Sequence, residues 1–249
     1  MRPHLIAANW KMHKNPMGTT CFFENFLPAI EPSGNCEIVI CPPLLDVKNA
    51  VTAADGTRVR IGAQNLYWQK EGAFTGEVSG DMIKASGCSH VIVGHSERRY
   101  YFGETNQTVL KKAVAALEAG LTPILCVGER DRKNVEVKLT EQFRGGVAGL
   151  SDEQFADIVI GYEPLWAIGE GTTATPQVAA AAHRFLRALA QTRFGAEAAN
   201  KLRIIYGGSV KADNAQNLSE QPEIDGFLVG GASLDPVAFA ALVNLRGWN

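Results

Sequence analysis

The feature that most constrains this chain is a repeated alternation. Eight short β-prone runs, at residues 4–9, 37–41, 59–64, 90–93, 121–127, 158–162, 203–206 and 226–229, are separated by longer segments with helical patterning. Many of the runs are continuously apolar, as in parallel strands buried on both faces. The segment 105–119 puts Val109, Ala113, Ala116 and Leu117 on one face and stops at Gly120. The segment 176–194 opens with Thr175-Pro176 as N-cap and first helical residue and ends before Gly195. Segments 210–218 and 236–245 complete the series. Strand then helix, about eight times over, implies a parallel sheet, which an open doubly wound sheet or a closed barrel would satisfy. Eight repeats, 249 residues and no Pro/Gly/Ser-rich joint favour the barrel, which takes about 250 residues. The expectation is an α/β protein, a single (β/α)8 barrel domain over residues 1–249.

Composition narrows the partners. Hydrophobic residues make up 46% and charged residues 20% of the chain, enough for a large core. The formal net charge is −2. It leaves no basic excess to hold a nucleic acid, so any phosphate must be recognised locally, by backbone amides and one or two cations. The five cysteines, Cys21, Cys36, Cys41, Cys88 and Cys126, form no C-x-x-C pair, which argues against a zinc site or a disulfide framework. All but Cys21 lie in or beside apolar runs, where a reduced thiol behaves as a small hydrophobe, and that suits a reducing compartment. The N-terminal apolar stretch is too short for a secretory signal, and no run approaches the roughly 18 apolar residues of a membrane span. A soluble, cytoplasmic protein without membrane or nucleic-acid partners is expected.

In such barrels the chemistry sits at the C-terminal ends of the strands, so polar residues should follow each apolar run. They do: Asn9-Trp10-Lys11, Gln64-Asn65, Gly94-His95-Ser96-Glu97-Arg98-Arg99, Glu129, Glu163-Pro164, Gly207-Gly208-Ser209 and Gly230-Gly231-Ala232-Ser233. The two glycine pairs, at adjacent strand ends before helices, suit an anion, because backbone can approach it closely and offer free amides; two tight turns without ligand are the alternative. Glu163 is a candidate general base if an apolar cover raises its pKa, or else a surface glutamate. The following stretch, Pro164-Leu165-Trp166-Ala167-Ile168-Gly169-Glu170-Gly171-Thr172-Thr173-Ala174, has apolar residues in its middle. It reads as a lid over a pocket, or as a buried connector. His95, at the start of a short helix, is expected to be neutral, since amides and helix dipole there disfavour imidazolium. Lys11 can pair with a phosphate or with Glu97, or form a Schiff base if desolvated; Asn9 offers a donor beside it.

Together these stretches resemble the triosephosphate isomerase family. Ala8-Asn9-Trp10-Lys11-Met12, Val93 to Arg99, Gly161 to Gly169, Tyr206 to Val210 and Leu228 to Leu234 match its motifs in order along essentially the whole chain. The resemblance implies a TIM barrel that interconverts dihydroxyacetone phosphate and D-glyceraldehyde 3-phosphate without cofactor or metal. Glu163 would be the base, His95 the neutral electrophile, and Lys11 and Asn9 the groups stabilising the enediolate; this acid–base pairing and the lid are the family's well-known chemistry. Glu97 would hold Lys11 or relay protons, with Ser96 and Cys126 in support. Gly169, Ser209, Gly230 and Gly231 would hold the phosphate. Tyr206 and Ser209 would latch the lid near Gly171 and Ala174. Thr75, in the loop Gly72-Ala73-Phe74-Thr75-Gly76-Glu77, would reach a partner's site in a homodimer; a surface hairpin tip is the alternative.

Two departures stand out. Glu170 replaces the family's usual threonine in the lid and is expected to have a modest effect. Residues 130–149 look shorter and less regular than the family's fifth helix. Other sugar-phosphate barrel enzymes, an epimerase or a Schiff-base aldolase, and a catalytically silent phosphate-binding barrel are the competing readings.

Overall fold

The apolar runs form eight parallel strands in a computed structural model that describes residues 2–32, 34–168 and 173–248. They are β1 (Leu5–Asn9), β2 (Glu37–Cys41), β3 (Val59–Ala63), β4 (His90–Val93), β5 (Thr122–Val127), β6 (Val159–Tyr162), β7 (Arg203–Tyr206) and β8 (Gly226–Val229). Each pairs with the next, and β8 pairs with β1, so the sheet is a closed (β/α)8 barrel. The α-helices are α1 (Pro16–Phe26), α2 (Val47–Ala54), α3 (Gly80–Ala85), α4 (Ser96–Tyr101), α5 (Asn106–Glu118), α6 (Val135–Val147), α7 (Asp152–Ala156), α8 (Pro176–Lys201), α9 (Ala212–Ser219) and α10 (Pro236–Val243). None of the described helices is long and apolar enough to cross a membrane.

Strand periodicity divides the core into two layers. Leu5, Ala7, Val39, Cys41, Ile92, Ile124, Cys126, Val159, Ile205 and Leu228 fill the inside of the barrel. Their neighbours Ile6, Ile38, Ile40, Val91, Leu125, Ile160 and Ile204 belong to the larger outer cluster shared with the helices. Burying each such Leu or Ile contributes roughly 1.5–3 kcal/mol, and a one-residue slip in any strand would exchange the two layers.

The β7–β8 seam has one ladder pair, Tyr206 with Phe227. Asp225, just before β8, reinforces it. Its amide donates to the Ile204 carbonyl (2.9 Å), and its carboxylate accepts from the Ile204 amide (2.8 Å) and pairs with Arg187 (2.8 Å) and Arg2 (2.5 Å). The Leu5 amide then donates to the Asp225 carbonyl (2.9 Å), joining the last strand to the first.

Sequence expectations and structure differ in two helices. Helix α8 begins at Pro176 behind the Thr175 cap and has a non-helical break at Gly195 (φ 85°), the expected end, but resumes as far as Lys201. The expectation of an irregular outer helix within 130–149 is corrected: α6 is an unbroken 13-residue helix. Leu139, Phe143, Gly146 and Val147 form its buried stripe, and Gln142 both donates to the Gly128 carbonyl and accepts from the Gly128 amide, each at 2.8 Å. The polar residues that blur the pattern lie on its outer side.

Two buried histidines make stability pH-dependent. Burial pushes His90 down to about 4 and His183 down to about 3; His183 lies beside the Tyr162 and Tyr206 rings with Nδ1 3.1 Å from the Glu223 carbonyl. Both stay neutral when folded and take up a proton on unfolding once the pH is below about 6.5. The unfolded state then binds more protons, so stability falls as pH drops from about 6.5 towards 4, by up to about 1.4 kcal/mol per pH unit for each histidine. Guanidinium denaturation at pH 7, 6 and 5 should show a shallower decline for His183→Gln than for wild type. Equal slopes would clear His183 of this role.

Candidate active site

Each strand delivers its last residues to the same rim, and the ladder continues far enough to fix them. The Glu163 amide donates to the Val127 carbonyl (2.8 Å), and the Gly207 amide to the Tyr162 carbonyl (2.7 Å). Gly128 lies so close to this extension that a Cβ there would sit 1.8 Å from the Glu163 carbonyl oxygen. The position of Glu163 is therefore set by backbone on both sides.

His95 caps α4, which begins one residue later, and its Nδ1 accepts from the Glu97 amide at 3.3 Å. That bond uses the Nδ1 lone pair and puts the proton of a neutral ring on Nε2. Nε2 lies 2.8 Å from Glu163 Oε1. Ser96 completes the grip: its amide donates to Glu163 Oε2 (3.0 Å) and its hydroxyl to Oε1 (3.2 Å). His95 and Glu163 are both buried.

Burial pushes the Glu163 carboxyl up, but His95, the Ser96 amide and Lys11 outweigh it and hold the group below the usual carboxylate range. Burial pushes His95 down, and the Glu163 carboxylate, then Glu97, more than reverse that. The helix terminus alone predicts a lowered imidazole. The difference comes chiefly from the Glu163 carboxylate.

Lys11 has a left-handed backbone (φ 53°), a conformation that costs a non-glycine residue on the order of 1–2 kcal/mol. The Asn9 side chain accepts from its amide (3.1 Å), and Gln64 Nε2 donates to its carbonyl (2.9 Å). The ammonium pairs with Glu97 at 2.8 Å. Asn9, Lys11, His95 and Glu163 border a cavity of about 460 Å³, whose other walls include Ile168, Gly207-Gly208-Ser209 and Gly230-Gly231. The two glycine clusters thus share one cavity with Glu163 and His95.

The apolar stretch after β6 is partly packed down. Leu165–Ala167 is a 3₁₀ turn with Ala167 buried; Leu165, Trp166 and Ile168 are half-buried. The Ser209 amide donates to the Ala167 carbonyl (3.0 Å). Pro164 precedes the turn, Thr173 is exposed, and Ala174 is buried. Gly169, Glu170, Gly171 and Thr172 lie outside the described residues. Cys126 is fully buried inside the barrel, where burial and then Glu163 push its thiol well up. Thr75 is exposed on its loop.

Glu129 has a role that the sequence reading missed. It is buried, and its Oε1 accepts from both Tyr162 Oη and Trp166 Nε1 at 2.8 Å, while its carbonyl accepts from the Leu165 amide (2.8 Å). Burial raises its pKa against these donors. Its place at the end of β5 was visible; its partners, 33 and 37 residues away, were not. Gln64 was likewise seen only as a strand-end residue.

Fold and site define a class: a (β/α)8-barrel enzyme with a carboxylate and an imidazole in contact beside a glycine-lined cavity. A family model described as triosephosphate isomerase matches residues 4–246. The triosephosphate isomerase of Solibacter usitatus is 60% identical over 98% of this chain and all of its own length. Those of Symbiobacterium thermophilum (48% identical, 97% of this chain and 96% of the relative) and Trichlorobacter lovleyi (46%, 99% and 100%) are also similar. The chain belongs to the triosephosphate isomerase family.

The close approach at Gly128 generates a test. Gly128→Ala should push the end of β5 away from β6, carry Glu163 off the imidazole and lower turnover by at least tenfold, with a stability cost of about 1–3 kcal/mol. Steady-state kinetics and thermal melts check it; turnover within twofold of wild type would show that this spacing does not position the carboxylate.

Proposed function

We propose that this chain, an isomerase by its family, interconverts dihydroxyacetone phosphate and D-glyceraldehyde 3-phosphate through an enediolate, with Glu163 as base and His95 as electrophile. The observation that carries this is the 2.8 Å contact between Glu163 and His95 at a cavity that also meets Lys11, Ser209, Gly230 and Gly231. Glu163 takes a proton from the hydroxymethyl carbon of the ketose while the Nε2 proton of His95 and the Lys11 ammonium stabilise charge growing on the carbonyl oxygen. Returning the proton to the neighbouring carbon, with a proton shifted between the two oxygens, gives the aldose. No electrons leave the substrate, so the step needs no redox partner.

When Glu163 turns to the substrate carbon it leaves His95, and the influence that raises the imidazole goes with it. A neutral ring donating from Nε2 then fits the Glu97–Nδ1 bond. Asn9 places a polar side chain beside Lys11, and Glu97 keeps the ammonium in place. That pairing disfavours a Schiff-base role, which needs a free amine. Gly169 with Ser209, Gly230 and Gly231 would hold the phosphate. The segment from Pro164 to Ala174, secured by Tyr206 and Ser209, would close over it and keep water from the enediolate.

A homodimer completes this reading. Met12, Leu45 and Phe102 are 94%, 85% and 68% exposed. Met12 and Phe102 border a cavity of about 370 Å³ that also meets Asn9, Lys11 and His95. A partner's Thr75 loop entering there would cover these apolar side chains and support Lys11. Four of the five free cysteines are buried, and a reducing cytoplasm suits them.

Purified protein should interconvert the two triose phosphates. Glu163→Gln should lose about 10²–10⁴ in turnover while inorganic phosphate still inhibits wild type and protects the variant against heat alike. Unchanged turnover would remove Glu163 as the base. Sedimentation should give a dimer, and Thr75→Glu should yield a monomer with turnover lowered more than about tenfold, since its site lacks the partner loop. A fully active monomer would end the dimer proposal.

A further inference from the structure

The segment between β5 and α6 carries cations with no part in the chemistry above. Arg132 lies over the Trp166 ring, 4.3 Å from its centroid, and Arg130 over the Tyr100 ring at 4.0 Å. Arg130 is exposed. It borders two small cavities at the barrel mouth, one shared with Ser96, Glu163 and Leu165, the other with Lys11, Glu97 and Ile168. It therefore stands beside one approach to Glu163 and Lys11.

Several of the neighbouring charged side chains are already engaged by other groups. Lys11 is paired with Glu97 and His95 with Glu163. Arg99 spends its guanidinium on the Gly94 and Cys126 carbonyls and on Asn106. The Asp131 carboxylate accepts from the Lys133 amide at 2.7 Å. The Arg130 guanidinium is seated on an aromatic face that holds it without neutralising it.

We propose that Arg130, held on Tyr100 at the mouth of the barrel, is a capture residue that draws the phosphate group of the incoming substrate toward Lys11. The proposal rests on the isomerase reading of the site. A triose phosphate approaches as an anion, and the chain's formal net charge is −2, so the molecule as a whole repels it weakly. A fixed cation at a concave mouth with low-dielectric walls reverses that sign locally and raises the rate of productive encounter. Arg130 touches neither reacting carbon nor oxygen in this scheme. Its contribution belongs in kcat/KM, not in kcat, and should fade as salt shortens the reach of charge, from about 30 Å at 0.01 M to about 3 Å at 1 M.

The test compares wild type with Arg130→Ala, Arg130→Lys and Arg130→Glu, using D-glyceraldehyde 3-phosphate across ionic strength. At low salt Arg130→Ala should lower kcat/KM about three- to fivefold and Arg130→Glu about tenfold, with kcat unchanged, and Arg130→Lys should stay near wild type. All four should converge near 1 M salt. Any of three results overturns the proposal: unchanged kcat/KM in Arg130→Ala at low salt, an equal fall in kcat, or Arg130→Lys as impaired as Arg130→Ala. A wild type that does not isomerise the substrate at all defeats the isomerase reading as well, which separates the two failures.

Discussion

Closure of the sheet is the constraint from which the site follows. Because β8 pairs in parallel with β1, all eight strands leave the barrel at one rim, and residues as far apart in sequence as Asn9 and Gly231 border one cavity. The hydrogen bonds that close the seam also limit how far any strand end can drift. Asp225 works at the opposite end of the strands from the chemistry. Its bonds to Ile204, Arg187 and Arg2 brace the weakest seam, so β7 and β8 present their glycine turns in a fixed relation.

At the rim, the charges are paired with one another. His95 holds Glu163, Ser96 holds it from a second side, and Glu97 holds Lys11. The pairings of Glu163 limit the cost of burying its charge. The pair Glu163–His95 also shows why local sequence is a poor guide to imidazole charge. The α4 terminus and burial favour the neutral ring; the Glu163 carboxylate, just after β6, and then Glu97 oppose them.

Much of the architecture was legible because apolar runs and their parity are local signals. Polar residues follow seven of the eight apolar runs in the sequence, and Glu163, His95, Lys11 and the glycine clusters meet at one cavity. What stayed hidden depends on contacts between distant segments. Glu129 reads as an ordinary glutamate until Tyr162 and Trp166 are folded onto it. The regularity of α6 was masked by polar residues on its outer side, although its buried stripe was present in the sequence. At Gly195 the break was correctly located, but a glycine with positive φ interrupts a helix without stopping the chain from starting another turn.

The left-handed backbone at Lys11 limits how this enzyme can change over evolutionary time. Glycine would relax the main chain there but take the ammonium away. Arginine would keep a cation, but with a longer reach and the same strained torsion. No single replacement both improves the fold and preserves the charge, so under the proposed role of Lys11 selection on stability and selection on activity pull this position in opposite directions. Neutral drift at residue 11 has no downhill path, and added robustness must come from the residues that brace it, Asn9 and Gln64 among them.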